Sequence, residues 1–125
     1  MICHNDLFWP NVVFRGGVPV ALIDWDLAVP APRLFDVASA ANHWVPLAHD
    51  ERAVAWGLSS TRHGERLRLL CDAYGLTGDE RLSLLDVVAS RNALGFELHR
   101  LCGDEILARN AWFETQRSDL LAFLR

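Results

Sequence analysis

Polar and apolar positions divide the chain into a short β-rich opening and a long helical remainder. Val12-Val13-Phe14 and Val18-Pro19-Val20-Ala21-Leu22-Ile23 are apolar runs separated by Arg15-Gly16-Gly17. Two such runs around a Gly-Gly pair predict a β-hairpin, because glycine takes the positive φ angles of a tight turn without a Cβ clash. A turn centred on that pair returns Asn11 and Asp24 to the same open end. At about 3.3 Å per residue, an offset of two or three residues leaves their backbones within about 10 Å.

Beyond the bend at Pro30-Ala31-Pro32 the apolar period becomes helical. Leu34 to about Trp44 predicts a helix of small and apolar residues stopped near Pro46, and Asp50 to Trp56 a short helical turn before Gly57. Gly64 to Tyr74 carries Leu67, Leu70, Cys71 and Tyr74 at three- and four-residue steps, with Gly75 as the stop. Thr77 and Glu80 read as a capping box. It opens a helix from Asp79 to about Leu101, with Leu82, Leu85, Val88, Ala89 and Leu98 inward. A last helix from Asp104 carries Ile106, Leu107, Trp112, Phe113, Leu120, Leu121 and Leu124. The pattern shows no repeat, linker or low-complexity segment, and predicts one α+β, mostly α, domain over residues 1–125.

Composition narrows the class. With 125 residues, about two-thirds of the chain's surface can be buried on folding, and 51% hydrophobic residues supply an ample core. A formal charge of −4, with arginines spread singly, argues against a nucleic-acid or anionic-membrane binder. Cys3, Cys71 and Cys102 are odd in number and far apart, so reduced buried thiols are expected. Neither a signal peptide nor an apolar run long enough to span a membrane appears, which predicts a cytoplasmic protein.

The candidate chemistry lies in His4-Asn5-Asp6-Leu7-Phe8-Trp9-Pro10-Asn11 and Leu22-Ile23-Asp24-Trp25-Asp26. Phosphoryl transfer needs a carboxylate to accept the acceptor hydroxyl's proton, and hard oxygens to hold Mg²⁺ against the phosphates. Asp6, Asn11 and Asp24 supply these groups in order. The segment resembles the catalytic and metal loops of the aminoglycoside phosphotransferase and choline kinase superfamily, whose pattern is H-[GN]-D-x-x-x-x-N followed by I-D-[WF]-[DE]. Pro30-Ala31-Pro32-Arg33-Leu34-Phe35-Asp36-Val37-Ala38 also resembles the family's G-P-x-x-x-D-[LV]-A stretch, so the close match covers about residues 3–38. Asn5, where many antibiotic kinases carry Gly, leans towards choline-kinase-like members.

The resemblance implies the C-terminal lobe of a protein-kinase-like fold, with a short β-hairpin carrying the catalytic and metal loops and four or five helices behind it. It implies Asp6 as catalytic base, Asn11 and Asp24 as Mg²⁺ and ATP ligands, His4 as a brace for the loop and Asp26 as an auxiliary acid. The acceptor would be a small-molecule hydroxyl, aminoglycoside-like or choline-like, with Asp50, Glu51, Asp104, Glu105 and Glu114 as candidate contacts. Trp9 and Trp25 are expected in the core or against another lobe, and Asp36 as an N-cap or a partner of Arg33.

A complete kinase of this kind also has a Gly-rich loop and a strand lysine on the phosphates. All 12 basic residues here are arginine, and the Gly pair is used by the hairpin. The expectation is a chain without the nucleotide-clamping lobe, inactive in isolation and prone to self-association through exposed apolar surface. A non-catalytic binding module is the alternative. A metal-dependent hydrolase built on Asp6, Asp24 and Asp26 would need more ligands than the sequence offers.

Overall fold

The computed structural model describes residues 1–45, 47, 54, 57, 62–98 and 103–124, and the side chains of 94–110 and 112 stand outside that description. Of the helical turn expected over Asp50 to Trp56, Val54 alone is among the described residues, and it is helical. The side chains of Leu98, Cys102, Ile106, Leu107 and Trp112 and the acceptor candidates Asp50, Glu51, Asp104 and Glu105 lie outside the description.

The elements are β1 (Ile2–Cys3), a 3₁₀ turn (Trp9–Asn11), β2 (Val12–Arg15), β3 (Val18–Leu22) and β4 (Val29–Pro30). Among the described residues four helices follow, α1 (Leu34–Trp44), α2 (His63–Tyr74), α3 (Gly78–Leu98) and α4 (Gly103–Leu124). The molecule is thus α+β and mostly helical. Gly16 and Gly17 both take positive φ, 59° and 80°, the pairing a type I′ hairpin turn demands. The register runs Val12↔Leu22, Val13↔Ala21, Phe14↔Pro19 and Arg15↔Val18, so Val20 is the extra residue of a bulge. Antiparallel pairing of Ile2 with Pro30 and of Cys3 with Val29 ties β1 to β4. The segments from β1 to β2 and from β3 to β4 therefore run between the same two strand pairs.

α1 packs on α3, α3 on α4 and α2 on α4. The core they enclose includes Val37, Ala41, Leu67, Leu84, Leu85, Val88 and Phe113, each at most 2% exposed. Gly75, at φ 73°, ends α2 in a Schellman motif: Leu76 N–H donates to Cys71 O at 3.0 Å and Gly75 N–H to Asp72 O at 3.1 Å. α3 opens on the capping box, Thr77 N–H donating to Glu80 Oε2 at 2.9 Å and Glu80 N–H to Thr77 Oγ1 at 3.4 Å. Cys3 and Cys71 are free, fully buried thiols, and burial raises the pKa of both.

Three expectations need correction. Leu82 is 44% exposed: the buried stripe of α3 runs through Leu84, Leu85, Val88 and Asn92, and Leu82, one turn from the helix start, falls outside it. Trp9 and Trp25 are about half exposed, at 52% and 49%, which excludes the core and leaves the other expected place, against another lobe. Asp36 is neither an N-cap nor the partner of Arg33. Arg33 instead forks onto Glu80, with Nε donating to Oε1 at 2.7 Å and Nη2 to Oε2 at 2.5 Å.

Candidate active site

His4 is 1% exposed, and its two ring nitrogens tie together the two loops that carry the candidate residues. Nε2 lies 2.9 Å from Ile23 O, a carbonyl that can only accept, so Nε2 carries the proton. Nδ1 then accepts the Asp6 N–H at 3.3 Å. One neutral imidazole thus fixes the backbone of Asp6 relative to the residue before Asp24. The Trp25 ring covers it at a centroid distance of 4.6 Å.

The loop is clamped from behind by one face of α1. Asp36 accepts the backbone N–H of His4 at 3.0 Å and of Asn5 at 2.8 Å. Ser39 Oγ accepts the Leu7 N–H at 3.0 Å and donates to Asn5 O at 3.3 Å. Trp44 Nε1 donates to Leu7 O at 2.8 Å. Asp36 and Ser39 are one turn apart on a single face, beside the stripe of Val37, Ala38 and Ala41 that enters the core. From α3, Arg91 donates through Nη1 to Asn5 Oδ1 at 3.0 Å and through Nη2 to Asn5 O at 2.6 Å. Burial pushes the pKa of Arg91 down, and the charges of Asp36 and Asp6 oppose that.

Asn5 sits at φ 64°, in the left-handed region that Gly and Asn tolerate best. That conformation gives a physical reason for the Gly-or-Asn choice at this place in the motif. Asp24 also lies there, at φ 62°, which costs a non-glycine residue on the order of 1 kcal/mol.

Asn11 is 8% exposed, and its amide spends both donors on Asp6, on the backbone O at 3.0 Å and on Oδ2 at 2.9 Å. Its Oδ1 is left as an acceptor. Asn11 O accepts the Ile23 N–H at 3.0 Å, so Asp24 begins one residue past the rung opposite Asn11. Asp24 and Asp26 are exposed, and no described residue forms an ion pair with either. Asn11 Oδ1 and the Asp24 carboxylate are therefore two uncommitted hard oxygens at one end of the hairpin, a donor set suited to Mg²⁺ completed by phosphate oxygens and water. Among the described residues, no cluster of three or more His, Cys, Asp or Glu could hold a metal without such help. Glu114, on α4, is exposed and lies 3.6 Å from Arg117 in an ion pair.

Sequence reasoning missed Asp36, Ser39 and Arg91 as supports of the loop. Asp36 stood inside a recognised motif and carried a signal; Ser39 and Arg91 carried none.

These features make a short carboxylate-bearing loop held against a hairpin, with a second carboxylate at its base. The phosphotransferase enzyme family matches residues 1–70, more than half of the chain, and the chain belongs to that family. Over 87 residues it is 38% identical to the trifolitoxin immunity protein of Rhizobium leguminosarum bv. trifolii, taking in 69% of this chain and 33% of that protein. The chain thus spans about a third of the length of the curated relative it matches. No solved structure matches it. No described helix is long and apolar enough to cross a membrane.

Proposed function

We propose that the chain is the C-terminal lobe of a cytoplasmic, protein-kinase-like phosphotransferase, a single domain carrying the γ-phosphate of ATP to a hydroxyl of a small molecule, aminoglycoside-like or choline-like. Its surface would be engaged neither by nucleic acid nor by membrane. Asp6 accepts the hydroxyl proton: Asn11 occupies its Oδ2 and points the carboxylate, leaving Oδ1 for the acceptor. Asn11 Oδ1 and the Asp24 carboxylate would hold Mg²⁺, with Asp26 as an acidic neighbour. Bound there, Mg²⁺ neutralises phosphate charge and aligns the transferring group. His4 keeps Asp6 and Asp24 in step through Asp6 N–H and Ile23 O. The observation that carries this reading is the Asn11 amide, whose donors are committed to Asp6 while its oxygen stays open at the end of the hairpin that leads into Asp24.

A non-catalytic binding module is a second reading, favoured by the name of the relative, an immunity protein. Thermal unfolding with Mg²⁺-ATP, beside an Asp24→Asn variant, separates the two. Ligand at a hundredfold its dissociation constant adds about 2.7 kcal/mol, a shift of several degrees for a domain of this size. The phosphotransferase reading expects that shift in the parent chain and its loss in Asp24→Asn. An equal response in both leaves the binding-module reading, and none in either means that this lobe by itself does not hold nucleotide.

A further inference from the structure

Two consecutive residues of the Asp6 loop hold the Asp24–Asp26 stretch at both of its ends. On the near side His4 Nε2 donates to Ile23 O at 2.9 Å, and on the far side Asn5 Nδ2 donates to Leu27 O at 3.1 Å. Asp24, Trp25 and Asp26 are the residues between those two carbonyls. The same Leu27–Ala28 peptide closes a turn over them, its N–H donating to Trp25 O at 3.0 Å.

The far anchor comes from a side chain because the backbone has left the ladder. Carrying the β1–β4 register two residues past Cys3↔Val29 brings Asn5 opposite Leu27. At φ 64° Asn5 is no longer extended, and its N–H donates instead to Asp36 Oδ1 at 2.8 Å. The carboxamide takes over as donor, and the same nitrogen reaches Cys3 O at 3.5 Å. Arginine has donors alone, so the Arg91 contact at 3.0 Å selects the Oδ1 end of the carboxamide and turns Nδ2 towards Leu27. Arg91 also grips Asn5 O at 2.6 Å, which makes a pair of charge-assisted bonds across 86 residues. Glycine would take the same backbone angle and make none of the side-chain bonds.

We propose that Asn5 is a positioning residue: its carboxamide, oriented by Arg91, sets the Asp24–Asp26 stretch against the loop that carries Asp6. Asp24 stands at φ 62°, and a non-glycine residue stays in that region only where its surroundings over-determine it. His4 and Asn5 supply that constraint from either side. One consequence rests on the phosphotransferase reading. There Asp24 is the metal's carboxylate, so a stretch released at Leu27 binds Mg²⁺-ATP less tightly.

Two variants of the full chain, with their fold checked by circular dichroism, divide the contacts. Asn5→Asp tolerates the left-handed backbone and keeps an acceptor for Arg91, but has no donor for Leu27 O. Asn5→Gly keeps the backbone angle and loses both contacts. Amide exchange at Ala28 reads the anchor with no ligand present. It should quicken several-fold in both variants, and by more than at Val88, whose amide reports global unfolding. Mg²⁺-ATP affinity, read by calorimetry, should fall about tenfold in both, the effect expected when a group that orients a metal ligand is lost. In Asn5→Asp it should fall although the substitution adds negative charge near the metal site. A role confined to stability would leave the affinity of the folded variants unchanged, and that result would overturn the proposal. So would Ala28 exchange in Asn5→Asp that only keeps pace with Val88. A parent chain that binds no Mg²⁺-ATP, with Ala28 released in both variants, would support the positioning and sink the phosphotransferase reading instead.

Discussion

At the residue scale, Asp24 combines exposure, a left-handed backbone at φ 62° and no ionic partner among the described residues. A carboxylate retained in that conformation is strained, and glycine would occupy it without a Cβ penalty. We expect Asp24→Gly to raise stability by about 0.5–1 kcal/mol in urea unfolding while abolishing the Mg²⁺-ATP thermal shift. A variant that is both less stable and fully responsive would show Asp24 to be a structural residue. The approach of Asn11 to Asp6 and to the residue before Asp24 was legible in sequence, because their spacing is local to one loop and one hairpin. Asp36 was visible but misread. A carboxylate in the first turn of a helix suggests a cap, and only the fold shows it reaching the N–H groups of His4 and Asn5, about 30 residues away. Arg91, 86 residues from Asn5, had no local pattern to announce it.

At the element scale, the start of α3 is fixed by more than its capping box. Glu80 satisfies the Thr77 N–H and at the same time receives both donors of the Arg33 fork, which joins the bend before α1 to α3. The Arg33 hydrogen bonds, followed by that from Thr77, lower the Glu80 pKa to about 2. A carboxylate whose folded pKa lies below its usual value stabilises the fold above that usual value, and the contribution disappears as pH falls through the folded pKa. Urea unfolding of Glu80→Gln beside the parent chain should therefore show a stability gap that is full above about pH 4.5 and closes towards pH 2. A gap that does not change over that window would mean the fork contributes no charge-dependent stability. The capping box, the hairpin and the limits of α1 and α2 were all readable, because turn and cap chemistry is set by neighbours in sequence. The β1–β4 pairing was not. Two-residue strands carry no period, and Pro30 in one of them speaks against a strand.

At the scale of the molecule, the helices and the hairpin are supported unequally. Phe113, Leu67, Leu84, Leu85 and Val88 are fully buried among α1–α4, while every residue of β3 is exposed. The loop of Asp6 lies between these extremes, since Asp36, Ser39, Trp44 and Arg91 hold its backbone to the helical body. Local opening free energy follows buried contact, so the molecule should unfold in steps from its sheet end inward. Native-state hydrogen exchange on dilute chain should find the ladder amides of β2 and β3 exchanging fastest. Asn5 and Leu7 should be intermediate, and Ala41, Leu85 and Val88 should exchange only on global unfolding. Hairpin amides as slow as Leu85 at high dilution would refute this order, because every residue of β3 and all of β2 but Val12 are exposed.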